Sequence, residues 1–416
     1  MSSTVSFLPP SPEPKSDPTD RYARHRLLPW WDQERLARSR VVVAGAGAIG
    51  NEVLKLLALV GVGDIVVIDF DTVSASNLSR TVLFRAEDIG KSKAVLAAAR
   101  TRELNPDVHV TAIDGDISRD LGMATLARAD LVIGGLDSVN ARWAINRRCL
   151  RAGVPWLNGG ITATDLQVTR HVPGDGACYE CTFTPGMVRR FNERYSCTGL
   201  VRRTPDRTVP TTAIGASVVG GLLLHDALRF LHDPATGLKA GQRQTLLLDG
   251  YRQFLDELPP DPECPAHVEL IRDWTATGLD PATTTVRDLA AAAGVPRAIA
   301  VTLGFELVLD LTCPTGDGIE VIGRPTATVY EDEILCPVCR QERIVTRGDT
   351  IPLDGPLADR TLAALGVPPH DLVRVGNAAG DGKWMETGGP DPWRARPGLV
   401  ASADPADLVF AVPSGL

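Results

Sequence analysis

The stretch VVVAGAGAIGNEVLKLLALVGVGDIVVIDFDTVSASNLSR, residues 41–80, decides the fold of this chain. It opens with a β-branched run, turns through glycines, continues as a helical apolar pattern and returns to a second apolar run at 64–69. A strand, a helix and a strand in that order predict a parallel pair joined by a crossover helix. Gly45, Gly47 and Gly50 stand between the first strand and the helix.

These three glycines predict a nucleotide site. In the spacing G-x-G-x-x-G the first allows a tight turn, the second lets the backbone approach a phosphate, and the third lets helix and strand pack closely. The helix that follows offers unpaired N–H groups that suit phosphate. Asp69 ends the next strand, nineteen residues after Gly50, where a carboxylate hydrogen-bonds ribose hydroxyls. The pattern favours a nucleotide over a glycine turn that only packs, and it leaves NAD and ATP both open.

Alternating strands and helices continue beyond this stretch. Helical patterns span 93–104 and 139–153, and short apolar runs span 108–113 and 129–136. We expect an α/β fold with a Rossmann-like, doubly wound and mostly parallel sheet. Before it, residues 21–39 predict a short amphipathic helical entry.

Three regions are predicted from these patterns. Residues 1–20 are polar and proline-rich, which indicates a disordered leader and not a signal peptide. Residues 21–270 form the nucleotide-binding domain. Residues 275–416, rich in Pro, Gly and Asp turns, form a smaller zinc-ribbon-like α+β accessory unit. An apolar helix at 211–231 is interpreted as buried because it carries His225, Asp226 and Arg229.

Composition excludes several classes of function. The chain has 416 residues, of which 44% are hydrophobic and 23% charged, and a net charge of −8. A dedicated DNA or RNA binder would normally be basic. No apolar run approaches the roughly 20 residues that span a bilayer. We therefore expect no nucleic-acid partner, no membrane partner and a cytoplasmic location.

Two C-x-x-C pairs among the eight cysteines indicate metal binding, because disulfide frameworks are rare in cytoplasmic chains. Cys178 and Cys181 form a knuckle that supplies two of the four ligands of a structural zinc. Two sets can complete it: Cys264 with His267, or Cys336 with Cys339. A chain without metal is the third alternative.

A second zinc follows if the first set completes the knuckle. Cys336 and Cys339 then belong to the C-terminal unit, where Cys313 stands in CPTG like part of a zinc ribbon that lost one cysteine. These three cysteines with an unidentified fourth ligand would hold the second ion. The alternative is a ribbon-like fold that relies on packing alone. Either zinc is expected to be structural, since four protein ligands leave no open position.

The second half of the opening stretch carries a family resemblance. The motifs are RYARHRLL (21–28), GAGAIG (45–50), DFDTVSASNLSR (69–80), DIGKSK (88–93) and GGLDSVNARWAIN (134–146). Together with the cysteine pairs they resemble the ubiquitin-activating-type (ThiF/MoeB/HesA-like) adenylyltransferases of bacteria, over about residues 21–270. The position of Cys264 and His267 is similar to that of the family's second cysteine pair, although histidine replaces a cysteine.

The resemblance implies ATP, Mg²⁺ and a set of site residues. In adenylation a carboxylate attacks the α-phosphorus of ATP and expels pyrophosphate, so phosphate charge must be neutralised. The implied cations are Arg80 and Lys93. Asn77 would orient phosphate or ribose, and Asp137 would hold Mg²⁺.

The resemblance also implies roles for further residues. Asp69 would hold the ribose, and Asp71 is either near the metal or ribose or a turn acid. Arg24 resembles an arginine that is given to the partner's ATP across a dimer, with a solvated helix face as the alternative. Arg142 and Asn146 are additional candidates for the site.

Cys197 is a candidate nucleophile. It lies in YSCTG, within an arginine-rich segment, and nearby positive charge lowers a thiol pKa. Some members of the family carry a cysteine in this segment that becomes linked to the carrier after adenylation. An inert cysteine beneath the loop is the alternative.

The resemblance implies an ATP-dependent adenylyltransferase. Its substrate would be the C-terminal glycine carboxylate of a ubiquitin-like or sulfur-carrier protein with a Gly-Gly tail, and it would work as a homodimer. One alternative is adenylation of a short peptide in natural-product biosynthesis. Two further alternatives are an NAD-dependent oxidoreductase and a zinc-stabilised scaffold with an inactive nucleotide site. Hydride transfer needs no arginine–lysine–Mg²⁺ cluster, which favours adenylation.

Overall fold

The computed structural model describes residues 19–183, 210–267, 270–393 and 409–411. A nine-stranded sheet forms its larger part. The parallel strands are β1 (Arg40–Ala44), β2 (Asp64–Asp69), β3 (His109–Asp114), β4 (Leu131–Gly134) and β5 (Trp156–Ile161). The antiparallel strands are β6 (Asp165–His171), β7 (Gln242–Leu247) and β8 (Arg252–Glu257). Strand β15 (Val409–Ala411) joins β3 in parallel, and the order is β15-β3-β2-β1-β4-β5-β6-β7-β8.

Helices cover both faces of this sheet, as predicted for a doubly wound fold. They are α1 (Gln33–Leu36), α2 (Ala48–Val60), α3 (Lys93–Leu104), α4 (Met123–Ala127), α5 (Val139–Ala152) and α6 (Ala213–His232). Val41 and Val43 of β1 pack in the core that includes α2, α3 and α6. Val42 and Ala44 pack in the core that includes α4 and α5. Successive side chains of a strand point to opposite faces, so the continuous apolar run of β1 is buried on both sides.

The N-terminal entry differs from the helix predicted over 21–39. A single 3₁₀ turn spans His25–Leu27, and α1 begins only at Gln33. Leu28 is extended, with φ −78° and ψ 123°, and Pro29 follows it. A proline disfavours the helical conformation of the residue before it, so the amphipathic pattern is divided into two short pieces.

Helix α6 is the one helix among the described residues that is long and apolar enough to cross a membrane, with 20 residues and a mean hydropathy of 1.4. Over half of the apolar window is buried inside the fold. A Cβ atom on Gly220 would lie 2.6 Å from the Cβ atom of Glu52, so α6 and α2 approach closely at this glycine. The helix therefore belongs to the core of the sheet domain, as its sequence predicted.

A second sheet lies toward the C-terminus. It contains β9 (Thr275–Ala276), β10 (Ala298–Thr312), β11 (Ile319–Pro325), β12 (Ile344–Pro352), β13 (Leu372–Asn377) and β14 (Gly382–Glu386). The order is β11-β10-β13-β14-β9, and β12 also pairs with β10. Helix α7 (Val286–Ala293) packs in its main core.

Polar and aromatic contacts attach this second unit to the first. The Arg128 guanidinium makes two 2.7 Å hydrogen bonds to the Glu386 carboxylate. Asp371 accepts the backbone N–H of Met123 at 2.9 Å. The indole N–H of the buried Trp393 donates to the carbonyl of Thr125 at 3.0 Å. Trp393 and strand β15 therefore pack against the sheet domain. The sequence assigned both to the C-terminal unit, residues 275–416.

Candidate nucleotide site and cysteine clusters

The glycine loop lies between the end of β1 and the start of α2. Gly45 has a φ of +93°, a conformation that favours glycine. A Cβ atom on Gly50 would overlap the carbonyl oxygen of Gly45, whereas one on Gly47 would meet no atom of the described chain within 4 Å. Gly50 is thus required by packing. Gly47, the N-cap of α2, faces open space where a ligand has room.

Asp69, at the end of β2, holds this loop. Its carboxylate accepts the backbone N–H of Ala46 at 2.7 Å and that of Asp71 at 2.8 Å. Burial raises the pKa of Asp69 above its usual value, although the charge of Lys93 and the two N–H donors oppose that shift. The carboxylate oxygens retain lone pairs for further donors, so Asp69 can fix the loop and still accept a hydrogen bond from a ligand.

Lys93 is buried beside this carboxylate as the first residue of α3. Its ammonium group lies 2.7 Å from the Asp71 carboxylate, and its backbone N–H donates to the Asp71 carbonyl at 2.9 Å. The Lys93 side chain is 9% exposed, while that of Asp71 is 48% exposed. The lysine is therefore a fixed positive charge whose partner carboxylate faces solvent.

Asn77 lies in the middle of a 3₁₀ turn, Ala75–Ser79, and Arg80 follows its last residue. The Asn77 side-chain oxygen accepts the backbone N–H of Ser74 at 2.9 Å, and Asn77 is buried. Arg80 donates to the carbonyl of Ser76 at 2.6 Å. In this structure Asn77 shapes the turn that carries Arg80.

Asn51 is a residue of the site that the sequence prediction missed. It is fully buried on the first turns of α2, and its amide nitrogen donates to the carbonyls of Ala46 at 2.7 Å and Gly47 at 3.1 Å. Its amide oxygen accepts the backbone N–H of Leu83 at 2.9 Å. One side chain thus joins the glycine loop to the segment after Arg80. The available signal was a polar residue directly after the third glycine, in a helix with an apolar pattern.

Asp137 follows β4 and is exposed. Its strand end adjoins the glycine loop, because a Cβ atom on Gly45 would lie 3.0 Å from the Gly135 carbonyl oxygen. Arg142 donates to the carbonyls of Leu136 and Gly159, which fixes this strand end from α5. The carboxyl ends of β1, β2 and β4 therefore gather the glycines, Asp69, Asp71, Lys93 and Asp137 at one edge of the sheet.

Arg24 is not brought to this edge. Its side chain is exposed, and its neighbours in sequence contact the C-terminal ends of α2 and α3. Tyr22 accepts a 2.7 Å hydrogen bond from Asn105, and Gln33 donates to the Val60 carbonyl. Helix α2, about 20 Å long at 1.5 Å per residue, separates this region from the glycine loop. Cys197 lies outside the described residues.

The first cysteine cluster contains Cys178, Cys181, Cys264 and His267, whose ligand atoms all lie within 4.8 Å of one another. The Cys178 sulfur is 3.7 Å from that of Cys264 and 3.6 Å from that of Cys181. The Cys181 sulfur is 3.4 Å from Nε2 of His267. A tetrahedral zinc with Zn–S bonds of about 2.3 Å spaces its sulfurs by about 3.8 Å. The four side chains have the chemistry and spacing of a structural zinc site.

Helix α5 supports this cluster. Asn146, a candidate for the nucleotide site by sequence, instead donates to the Cys178 sulfur at 3.5 Å and accepts the Tyr179 backbone N–H at 3.1 Å. Arg147 makes a bidentate ion pair with the buried Glu180, with a shortest distance of 2.8 Å. Such contacts orient metal ligands. Glu180 stands inside the knuckle sequence, but nothing in the sequence pairs it with a helix 33 residues earlier.

Cys336 and Cys339 do not join the first cluster. They lie with Cys313 in a second group in the C-terminal unit, and the Cys313 and Cys339 sulfurs are 3.6 Å apart. Asp317 belongs to the same group.

The chain is similar in sequence to proteins of one known family. A sequence profile described as the ThiF family matches residues 20–266. The chain is 34% identical over 256 residues to the SAMP-activating enzyme E1 of Haloferax volcanii, covering 59% of this chain and 87% of that protein. It is 37% identical over 227 residues to the sulfur carrier protein adenylyltransferase of Thermus thermophilus, covering 50% of this chain and 83% of that protein.

A third relative and a solved structure extend the likeness. The probable adenylyltransferase/sulfurtransferase MoeZ of Mycobacterium tuberculosis is 31% identical over 309 residues, covering 68% of this chain and 78% of its own length. The crystal structure of E. coli MccB with ATP has a TM-score of 0.51 and 25% identity, covering 61% of this chain and 75% of that one. Because the ThiF profile matches more than half of the chain, the chain belongs to the ThiF family and is an enzyme of its E1-like adenylyltransferase type.

Proposed function

We propose that the chain uses Mg–ATP to adenylate the C-terminal glycine carboxylate of a ubiquitin-like or sulfur-carrier protein, with release of pyrophosphate. The observation that supports this proposal is that one sheet edge holds the open glycine loop, which Asp69 fixes, and the buried Lys93, which Asp71 holds. The named substrates of two relatives, SAMP and a sulfur carrier, supply the substrate class.

Each part of the edge has a role in this reaction. The N–H groups at the start of α2 face the ATP phosphates, and Asp69 accepts a ribose hydroxyl while it holds the loop. Lys93 and Arg80 neutralise the charge that builds on the phosphates as pyrophosphate leaves. The exposed carboxylate of Asp137 is a donor of the kind that Mg²⁺ prefers. When bound there, Mg²⁺ would neutralise phosphate charge.

A short peptide is the second candidate substrate. The likeness to E. coli MccB favours this candidate. The crystal structure of MccB with MccA has a TM-score of 0.50 to this chain. The chemistry at the phosphates would be the same, because a peptide also ends in a carboxylate. The two candidates therefore differ only in what the enzyme must recognise beyond that carboxylate.

ATP–pyrophosphate exchange tests the reaction. With Mg²⁺ and a carrier ending in Gly-Gly, we expect exchange that disappears when the last glycine is removed. Exchange that is supported by a short peptide and not by the carrier would favour the second candidate. Tight NAD binding without binding of Mg–ATP would contradict adenylation.

We infer a homodimer in which Arg24 reaches the partner's site, because a helix length separates it from the glycine loop of its own chain. A mixed dimer with one Arg24→Ala chain and one Lys93→Ala chain would then keep one complete site. A cytoplasmic location is part of the same proposal.

Cys197 is proposed as the acceptor of the activated carrier. If its thiol attacks the acyl-adenylate, AMP leaves and a thioester forms. We expect a carrier–enzyme adduct that is trapped without reductant and is lost in Cys197→Ala, with ATP–pyrophosphate exchange unchanged. An equal amount of adduct in the variant would exclude this cysteine.

Asn51→Ala is expected to weaken both the fold and ATP binding. The substitution leaves the buried Leu83 N–H and the Ala46 carbonyl without a partner, at a cost of about 2–4 kcal/mol in the free energy of unfolding. It also frees the glycine loop. Denaturant unfolding and ATP titration measure the two effects.

Asn105→Ala is the matched control for this prediction. Asn105 is equally buried, but its amide donates to Tyr22 and to the Ala58 carbonyl at the other end of α2. We expect a similar loss of stability with unchanged ATP affinity in the folded protein. Equal loss of ATP affinity in both variants would show that Asn51 acts only through stability.

A further inference from the structure

We propose that Asp317 is the fourth ligand of a second structural zinc, with Cys313, Cys336 and Cys339. The Asp317 carboxylate oxygen lies 3.2 Å from the Cys313 sulfur and 3.7 Å from the Cys336 sulfur. With the Cys339 sulfur, these atoms all lie within 4.8 Å of one another. Zinc takes carboxylate oxygen at about 2.0–2.2 Å and thiolate sulfur at about 2.3 Å, so a tetrahedral site separates them by about 3.6 Å.

The turn after β10 presents Asp317 to the cysteines. Cys313 directly follows β10, and its backbone N–H donates to the Gly318 carbonyl at 3.0 Å, which closes the turn CPTGDG. Gly316 and Gly318 have φ values of +93° and +113°, which favour glycine. The Thr315 hydroxyl donates to the Asp317 carboxylate at 3.1 Å. A hydrogen bond to a ligating carboxylate is the usual support of a metal site.

The knuckle that holds the other two cysteines is also formed. The backbone N–H of Cys336 donates to the Gln341 carbonyl at 2.8 Å, and that of Arg340 donates to the Cys336 carbonyl at 2.9 Å. Cys336 is buried and Cys339 is half-buried. The Cys313 turn and the knuckle thus bring one carboxylate and three thiols together.

Packing around the site supports a metal. Among the described residues, the nearby core contains four buried side chains, Val308, Leu311, Val329 and Ile334, and is separate from the main core of the C-terminal unit. So small a core stabilises a fold weakly, and small units commonly depend on a metal or a disulfide. Zinc would fasten the two loops and contribute folding free energy directly.

The two clusters should differ in how firmly they hold zinc. The first offers three thiolates and an imidazole, whereas the second replaces the imidazole with the carboxylate of an exposed residue. Carboxylate is a harder donor than imidazole or thiolate and suits zinc less well. We therefore expect the second cluster to release its zinc first when a chelator is added.

Zinc content and sulfur coordination of the full chain test the proposal. After reconstitution with zinc alone, we expect two ions per chain. Asp317→Ala should lose one ion at a chelator concentration about 10-fold or more below that for the wild type. Asp349→Ala, at an exposed aspartate on β12, should match the wild type.

The variant Asp317→Cys distinguishes loss of a zinc ligand from damage to the fold. It should retain two ions, and zinc-edge X-ray absorption should show mean sulfur coordination rising from three to about three and a half per zinc, since one of two sites gains a thiolate. Asp349→Cys should leave the mean at three. A wild-type chain that binds one zinc, an Asp317→Ala chain that releases zinc like Asp349→Ala, or an unchanged sulfur count in Asp317→Cys would overturn the proposal.

Discussion

Lys93→Ala should lower carrier-dependent ATP–pyrophosphate exchange by about 10²–10³-fold, the usual cost of removing one group that stabilises charge in a transition state. The Lys93 ammonium is held at the sheet edge by Asp71 at 2.7 Å and is almost buried. A charge that is already fixed in position needs no rearrangement as charge builds on the phosphates. The loss should therefore appear mainly in kcat, which initial rates over a range of ATP concentrations measure.

Lys91→Ala is the matched control. Lys91 lies two residues away in the same motif, and its side chain is 58% exposed, 3.6 Å from Asp88. We expect exchange within about twofold of the wild type, because exposed ion pairs contribute little. Lys93→Met, which keeps the length of the side chain without its charge, should lose activity like Lys93→Ala while the protein stays folded. Full activity in Lys93→Met would contradict the electrostatic role.

Local pattern was enough to predict most of the sheet domain. The strand–helix–strand order of residues 41–69 follows from apolar runs and glycines, and Gly153 ends α5 in the left-handed conformation that its position predicts. The prediction of a helix over residues 21–39 was wrong, because Pro29 interrupts the amphipathic pattern. The three-residue strand β15 is too short to produce a periodic signal, and its partner β3 lies almost 300 residues earlier.

Site residues that stand inside a sequence motif could be predicted. Residues whose role depends on partners that are distant in sequence could not. Asp69 and Lys93 stand inside recognisable sequences; the structure sets Asp69 against the glycine loop and Lys93 against Asp71 at the same sheet edge. Asn51 and Glu180 act through partners that only the fold supplies: the backbone at Leu83 for one and Arg147 on α5 for the other. Asp317 was not predicted as a ligand for a related reason. Aspartate is common in turns, and only its proximity to three sulfurs in the fold identifies it as a candidate ligand.

His267→Ala should remove one zinc ion and lower the free energy of unfolding of the sheet domain by about 3 kcal/mol or more. The first cluster joins a knuckle after β6 to a segment after β8, more than 80 residues apart in the chain. Its own apolar core is small: Leu150, Cys178, Cys264 and Ala266. Without the metal, three thiols and an imidazole would lack the ion that joins them. Metal analysis and denaturant unfolding measure both effects.

Two variants distinguish the effect of losing the metal from the effect of losing a histidine side chain. His225→Ala changes an exposed histidine on α6 and should keep both the zinc content and the stability of the wild type. His267→Cys replaces an imidazole by a thiolate that zinc binds equally well, so it should retain the ion and most of the stability. If His267→Ala kept its zinc, or lost it without loss of stability, the metal would not be what joins these two segments. Helix α5 connects this cluster to the nucleotide edge, because it carries both Asn146 at the cluster and Arg142 at the end of β4.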